Sequence, residues 1–539
     1  MTTSAARPDV RTLQTDVLVI GGGPAGCWAA WRAAASGARV VLADKGYVGT
    51  SGATAPSGTG VWYVPPEAEA REAALASRET LGGHLADREW GERVLDQTYA
   101  NLEQVAQWGY PFPVDDAGRQ RRTSLQGPEY MKLMRKVVKQ ASVKILDQSP
   151  ALQLLLDDEG AVVGAEGASR QGDAAWQVRA GAVVLATGGC AFLSNALGCN
   201  VLTGDGYLMA AEGGAELSGM EFSNAYGLSL AFSSVTKSAF YRWATFRYGD
   251  GSVIEGAGSK QGRSIIAHHL EAGTQVYALL DLANEDDRRY ARSAQPNFFL
   301  SFDRVGIDPF TQQFPVTLRL EGTVRGTGGL RLIDAGCATT VRGLYAAGDA
   351  ATRELICGGF TGGGSHNAAW ATSSGYWAGE AAARFALGEG AGAYARSAIA
   401  AGGATQSGGR VLDARELVRA VQHEVQPYSK NLFRSGAGLE RSLTQLDGYW
   451  RSLRQSAPSI DPIARQQERE AAAMLATARW MYRSALARPE TRGMHKRLDH
   501  TAQDPAQQHY IHSGGLDHVW TRSHREPWHV APQAAEVAA

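Results

Sequence analysis

The chain has 539 residues, with 53 basic and 54 acidic side chains and a formal charge of −1. At 44% apolar and 20% charged residues its composition is globular and excludes intrinsic disorder. The balanced charge gives no long-range field to gather nucleic acid or an anionic membrane. Five scattered cysteines without a C-x-x-C pair exclude zinc knuckles and iron–sulfur clusters at the usual spacings and suit a reducing compartment. Residues 1–11 lack the apolar core of a secretory signal, and no apolar run is long enough to span a membrane, so a cytoplasmic protein is expected.

Residues 16–20 form a short β-branched run suited to a buried parallel strand. Gly21-Gly22-Gly23-Pro24-Ala25-Gly26 follows at once as G-x-G-x-x-G. Residues 27–36 read as an alanine-rich helix stopped at Gly37, and residues 40–42 as a second strand ending at Asp44. In a dinucleotide fold, Gly21 permits the tight turn, Gly23 lets a pyrophosphate approach the backbone, and Gly26 lets helix and strand pack closely. Pro24 and Ala25 lie in the turn before the helix, whose first-turn N–H groups and positive dipole end would face the phosphates. Asp44 follows Gly21 by about 20 residues, the interval at which an acid meets the adenosine ribose hydroxyls. It repels a 2′-phosphate, while Lys45 beside it keeps that group from being excluded outright.

Later stretches favour FAD over NAD. Thr50-Ser51-Gly52-Ala53 and Ser57-Gly58-Thr59-Gly60 make a glycine and hydroxyl loop. Leu152 is a further expected cofactor contact. A buried strand over residues 182–185 runs into Ala186-Thr187-Gly188-Gly189, and Gly343-Leu344-Tyr345-Ala346-Ala347-Gly348-Asp349 comes far downstream. A long flavin dinucleotide needs a separate glycine-lined contact for each of its parts, whereas NAD offers these stretches no common purpose.

Helices are expected over residues 263–273, 413–426, 439–455 and 462–487, and a strand over 276–282. Asp413 and Asp461 are expected N-caps. Gly256-Ala257-Gly258-Ser259-Lys260-Gln261-Gly262 imitates a second nucleotide turn, but no buried strand precedes it, so it is read as a loop. His509-x-x-His512 lies in a histidine-rich segment without a carboxylate or thiolate set, and no metal is assigned to it. Residues 531–539 read as a loose tail.

In this order the motifs resemble the flavoprotein subunits of succinate dehydrogenase and fumarate reductase, with L-aspartate oxidase and the adenylylsulfate reductase α subunit as relatives. The resemblance runs over residues 15–510. It includes Thr203-Gly204-Asp205-Gly206 and the terminal Glu490-Thr491-Arg492-Gly493-Met494-His495, with Arg497 and Asp499. It implies an α/β architecture: a discontinuous Rossmann-like FAD-binding domain (1–228 and 334–404), an inserted α+β capping domain (229–333), and a C-terminal helical domain with a tail (405–539). It further implies that Asp205 and Asp349 meet ribose or ribityl hydroxyls. Ser365-His366-Asn367 would lie by the pyrimidine end of the flavin, where a helix dipole favours the reduced, anionic ring. Relatives with histidyl-linked FAD carry the histidine in the loop after the second strand. Residues 46–60 contain none, so non-covalent FAD is expected.

The chain departs from the family's dicarboxylate clamp. Asn224-Ala225-Tyr226-Gly227 stands near the His-Pro-Thr stretch, Val324-Arg325 replaces a histidine before Gly-Gly, Phe360-Thr361 replaces an arginine, and R-G-E-G-G is absent. Ordinary succinate or fumarate chemistry is therefore not expected. Tyr226, Tyr241, Trp243, Phe246 and Tyr248, with Arg242 and Arg247, suit either a cap core or an aromatic-lined pocket. The expected function is FAD-dependent oxidoreduction of a small organic substrate under the cap, with Arg242, Arg247, Tyr226 and His366 as candidates for proton transfer. Two other readings stay open: a subunit passing electrons to a separate iron–sulfur partner, and a flavin-bound protein that binds without turnover. Neither nucleic acid nor a membrane is an expected partner.

Overall fold

The computed structural model describes residues 10–114, 118–171, 175–236, 240–259, 261–360, 364–402, 410–411 and 413–524. In chain order, β1 (Val10–Ile20) leads through α1 (Pro24–Ala35) to β2 (Val40–Ala43). Then come β3 (Lys144–Leu146), β4 (Ala151–Leu156), β5 (Val162–Ala168) and β6 (Ala175–Leu185). Beyond them lie α2 (Asp205–Glu212), β7 (Ala225–Leu230), β8 (Thr245–Arg247), α3 (Gly262–Glu271), β9 (Val276–Leu279) and β10 (Phe314–Gly322). The C-terminal part holds α4 (Gly364–Leu387), α5 (Ala414–Val425), α6 (Gly436–Arg454), α7 (Pro462–Ala487) and the hairpin β11 (Tyr510–Gly514) and β12 (Trp520–His524).

The central sheet runs β4-β5-β6-β1-β2-β3, with Ile399–Ala400 beside β4 and Leu344–Ala346 beside the end of β6. β1 is parallel to β2 and β6, and β2 to β3. These strands read as continuous apolar runs because both faces are covered. Val17, Leu18 and Val19 have no exposed surface. β1 starts earlier than the apolar run suggested, because the polar residues from Val10 onward pair with β6 from Ala175. Helices α1 and α4 press together on the sheet: a Cβ on Gly375 would lie 2.4 Å from the Ala25 carbonyl oxygen, and one on Gly379 2.3 Å from that of Ala29.

A second, antiparallel sheet has the order β7-β10-β9-β8. The expected domain boundary at 228/229 falls inside β7. Phe240, Trp243, Phe298, Phe299 and Phe302 pack beside this sheet, Phe302 against Phe314 at the start of β10, and all are buried. β9 stops at Leu279, short of the expected 282; Leu282 is 64% exposed. The glycine-rich stretch from Gly256 is turn structure leading into α3, with no strand feeding it from the central sheet among the described residues. Its Lys260 lies outside the described residues, as do Thr361 and the tail 531–539.

Asp413 and Asp461 cap their helices, accepting from Arg415 and Glu416 N–H and from Ala464 N–H respectively. α7 is buried on nearly every side over its middle turns, an alanine-rich stretch packed by α2, α5 and α6. Beyond the expected C-terminal helices, residues 510–524 form the β11–β12 hairpin, which adds to Leu217–Ser218 and Gly329–Leu330 as a third sheet. His512 on β11 stacks on His524 of β12, and burial, foremost, pushes its pKa down to about 3. Among the described residues there is no group of three or more His, Cys, Asp or Glu suited to a metal, and no helix is long and apolar enough to cross a membrane.

Candidate active site

The carboxyl end of the parallel strands opens into a cleft of about 1560 Å³, its mouth included. Gly21 ends β1 at φ +108°, and a Cβ there would meet the Ala186 carbonyl oxygen at 2.2 Å. That backbone conformation belongs to glycine. Gly26 faces back across the turn, where a Cβ would lie 1.7 Å from the Gly21 carbonyl oxygen. Gly23 differs from both. It lines the cleft, and a Cβ on it would meet nothing within 4 Å. Gly23 offers α1 no side-chain cap, so first-turn N–H groups remain for a ligand. Turn, close packing and an open backbone face thus fit a bound pyrophosphate.

At the end of β2, Asp44 is 8% exposed and holds the surrounding turns together. Its Oδ2 accepts from Gly22 N–H at 2.6 Å, and its Oδ1 from Gly46 N–H and Ser51 Oγ, both at 2.8 Å. Lys45 is committed elsewhere. Its Nζ lies 2.7 Å from Asp205 Oδ2 and 2.8 Å from Glu470 Oε1, and donates to Thr203 Oγ1 at 2.8 Å. Burial alone would draw its pKa down, but the two carboxylates more than offset that and hold it above the usual value. Lys45 therefore does not relieve the repulsion that Asp44 presents to a 2′-phosphate.

Most expected cofactor contacts converge on this cleft: Gly21, Gly23, Pro24, Ala25, Asp44, Lys45, Ser51, Gly52, Ser57, Gly58, Thr187, Gly188, Asp205, Gly348, Asp349 and Asn367. Gly26 and Leu152 do not line it. Gly26 packs behind the turn, and Leu152 lines a smaller adjoining hollow, its carbonyl accepting from Arg469 Nη2 at 2.9 Å. Asp349 pairs with buried Arg353. Burial raises the Asp349 pKa, a shift that the guanidinium opposes.

Ser365, His366 and Asn367 occupy the first turn of α4. Of the three, Asn367 lines the cleft, and its Nδ2 donates to the Val324 carbonyl at 2.8 Å. His366 is 6% exposed, its ring 4.5 Å from that of Trp62 and its Nδ1 3.1 Å from Ser365 Oγ.

The other three proton-transfer candidates do not come together there. Arg242 is exposed and lies over the Trp243 ring. Arg247 pairs with Asp281 at 3.0 Å and donates to the Gly251 carbonyl. Tyr226 is buried between β7 and the C-terminal helices, where its hydroxyl donates to the carbonyls of Val425 and Gln426. Burial pushes its pKa well up. None of the three lines the cleft. Tyr241, Trp243 and Phe246 are likewise buried cap core.

The cap-side wall holds Val324 and Arg325, which stand where the family has a histidine, and residues without a motif to mark them. Glu321, at the end of β10, is 4% exposed; its Oε1 accepts from Thr236 Oγ1 at 2.7 Å and its Oε2 lies 3.4 Å from Arg325 Nε. All three line the cleft with Val324. For Glu321 the one available sequence signal was a charged residue at the buried end of an apolar strand. All five cysteines are buried.

A parallel sheet with a glycine turn, an acid after the second strand and a second glycine turn at Gly348-Asp349 defines a dinucleotide-binding flavoprotein. Residues 16–230 match the family described as FAD binding domain, and residues 416–520 the one described as Fumarate reductase flavoprotein C-term. L-aspartate oxidase of Streptomyces coelicolor is 27% identical, over 91% of this chain and 90% of that one. The fumarate reductase flavoprotein subunit of Escherichia coli is 24% identical, over 91% and 89%. Among solved structures, a point mutant of E. coli quinol fumarate reductase FrdA superposes with a TM-score of 0.81 at 20% identity, covering 95% of this chain and 97% of that one. Adenylylsulfate reductase of Archaeoglobus fulgidus gives 0.76 at 19%, covering 96% of each. The chain thus carries an FAD binding domain and a fumarate reductase flavoprotein C-terminal domain; it is an FAD-dependent oxidoreductase, and FAD is its cofactor.

Proposed function

We propose that the protein exchanges a hydride or an electron pair between FAD and a small organic substrate other than fumarate or succinate. One observation carries this reading. Among the described residues, the cations lining the cleft are Lys45 and Arg325, and each already faces a carboxylate of the protein. A dicarboxylate would enter with two charges and find no free cation among them, at a cost on the order of several kcal/mol. Glu321, Thr236 and Arg325 instead form a polar end wall suited to a ligand that both donates and accepts hydrogen bonds.

Bound FAD supplies the two-electron chemistry. The protein's share is to hold the substrate at the cap-side wall, exclude water and place a proton donor or acceptor. Glu321 and Arg325 are the titratable cap-side groups on the lining. Of the four original candidates, His366 keeps the best claim to a part in this, as the sequence neighbour of Asn367 on the lining. The similarity to a fumarate reductase flavoprotein subunit favours a second reading, in which electrons pass to a separate redox protein.

Anaerobic reduction of the purified protein, followed by a screen of organic oxidants, tests the proposal. Fumarate is expected to leave the reduced flavin unchanged while another small organic acceptor reoxidises it. Glu321→Gln is expected to slow that reoxidation by about a hundredfold or more, with FAD still bound. Rapid reoxidation by fumarate, or full activity in both Glu321→Gln and Arg325→Met, would overturn it.

A further inference from the structure

The cleft continues into a smaller hollow at its adenosine end. The two share Lys45, Pro150, Ala151, Asp205 and Met209, and the hollow adds Leu152 and Leu208 together with Gln466, Arg469 and Glu470 from α7. The phosphate turn at Gly21–Gly26 and the acid at Asp44 fix the direction of the cofactor, since the adenosine ribose belongs beside the acid that ends the second strand. The hollow therefore lies at the adenosine end of the cleft.

α7 is anchored to this place by specific pairs. Arg469 makes two 2.6 Å contacts with Glu212, at the end of α2, and donates to the Leu152 carbonyl at the start of β4. One turn back, Gln466 Nε2 donates to Glu470 Oε1 at 2.6 Å. Glu470 then reaches across to Lys45, which Asp205 holds from the other side. Side-chain exposure in this triad is 14% for Lys45, 20% for Asp205 and 17% for Glu470, so the pairing is only partly screened by water.

We propose that α7, in the C-terminal module, is the outer wall of the adenosine compartment, and that Glu470 is a positioning residue for the adenosine half of FAD, acting through Lys45. With Glu470 in place, the Lys45 ammonium is held between two carboxylates at the floor of the compartment, away from the ribose edge of Asp44. Two carboxylates around one ammonium, with Asp44 alongside, leave the compartment negative. That suits an uncharged ribose diol and disfavours a 2′-phosphate. Without Glu470, Lys45 loses one of its two counter-charges and its fixed place, and the disturbance begins at the adenosine end. FAD retention is thereby tied to docking of the C-terminal helices.

The test titrates FAD into apoprotein by flavin fluorescence and follows unfolding of the apoprotein in parallel. Glu470→Gln keeps the side chain's size and is expected to raise the FAD dissociation constant about tenfold while leaving the apoprotein's unfolding midpoint in place. Glu470→Asp is expected to fall between the two. Because Glu470 acts through Lys45, adding Glu470→Gln to Lys45→Met is expected to cause no further loss. An unchanged FAD affinity in Glu470→Gln, a loss matched by a fall in apoprotein stability, or additive effects in the double variant would each overturn the proposal.

Discussion

Gly23→Ala is expected to yield a folded protein that has lost most of its flavin, whereas Gly26→Ala is expected to lose both flavin and stability. The two glycines sit three residues apart in one turn but meet different surroundings. A methyl group on Gly23 enters open space on the cleft wall, so nothing in the protein opposes it. It takes up volume that a pyrophosphate needs for contact with the backbone. A methyl group on Gly26 would stand 1.7 Å from the Gly21 carbonyl oxygen, and backbone must move to admit it. Overpacking of this kind costs about 1–3 kcal/mol or more, and FAD affinity in either variant should fall by about a hundredfold. Flavin titration and apoprotein unfolding separate the two cases. Equal losses of stability would show that Gly23 also fills a packing role.

Arg488→Leu is expected to destabilise the protein by about 3–5 kcal/mol, because it strips the cation that bridges two buried acids. Arg488 has no exposed surface. Its Nη2 lies 2.8 Å from Glu221 Oε1, and its Nη1 3.0 Å from Glu490 Oε1; it also donates to the carbonyls of Gln507 and His509 at 2.7 Å. Glu490 in turn accepts from Arg492 Nε at 2.6 Å, and Arg492 donates to the carbonyls of Gly83 and Asp504. Close by, burial, foremost, and the charge of Glu221 push the Glu354 pKa up to about 8. Without Arg488, Glu221 Oε1 loses the guanidinium that faces it and is left as a buried charge. Arg488→Lys is expected to fail as well, since one ammonium cannot span two carboxylates and two carbonyls. Denaturant unfolding checks both variants. A midpoint unchanged from the parent protein would contradict this account of the terminal motif.

That motif illustrates how far the sequence could be read. Arg492, Gly493 and His495 were recognisable as a pattern, but their task was not. His495 takes an Arg434 hydrogen bond at 2.7 Å and meets the Arg488 carbonyl at 3.0 Å, while Arg488 and Arg492 tie the same segment to Glu221 and Gly83. Local signals served well where structure is local. The first strand, glycine turn, helix and acid are contiguous, and Asp413 and Asp461 cap the helices they precede. The signals served poorly where the site is assembled from afar. Thr236 meets Glu321 and Arg325 across some 85 residues of chain; Arg325 was marked only as a departure from the family pattern, Glu321 only by its charge at the end of an apolar strand, and Thr236 by nothing. Arg242, Arg247 and Tyr226 looked promising because aromatic and basic residues cluster along the chain there. In the folded protein Tyr241 and Phe246 face one another in the cap core, Tyr226 packs on Tyr428, and the arginines turn to solvent or to Asp281. Periodicity reports which face of a strand is buried, but not against which neighbour.

The account rests on one dissociable FAD lying along the cleft from Gly23 to Asn367. The direct measurement is to denature the purified protein in acid, remove the precipitate, and quantify flavin in both fractions. FAD equimolar with the polypeptide, all of it in the supernatant, is the predicted result. A colourless protein that also fails to take up added FAD would contradict it.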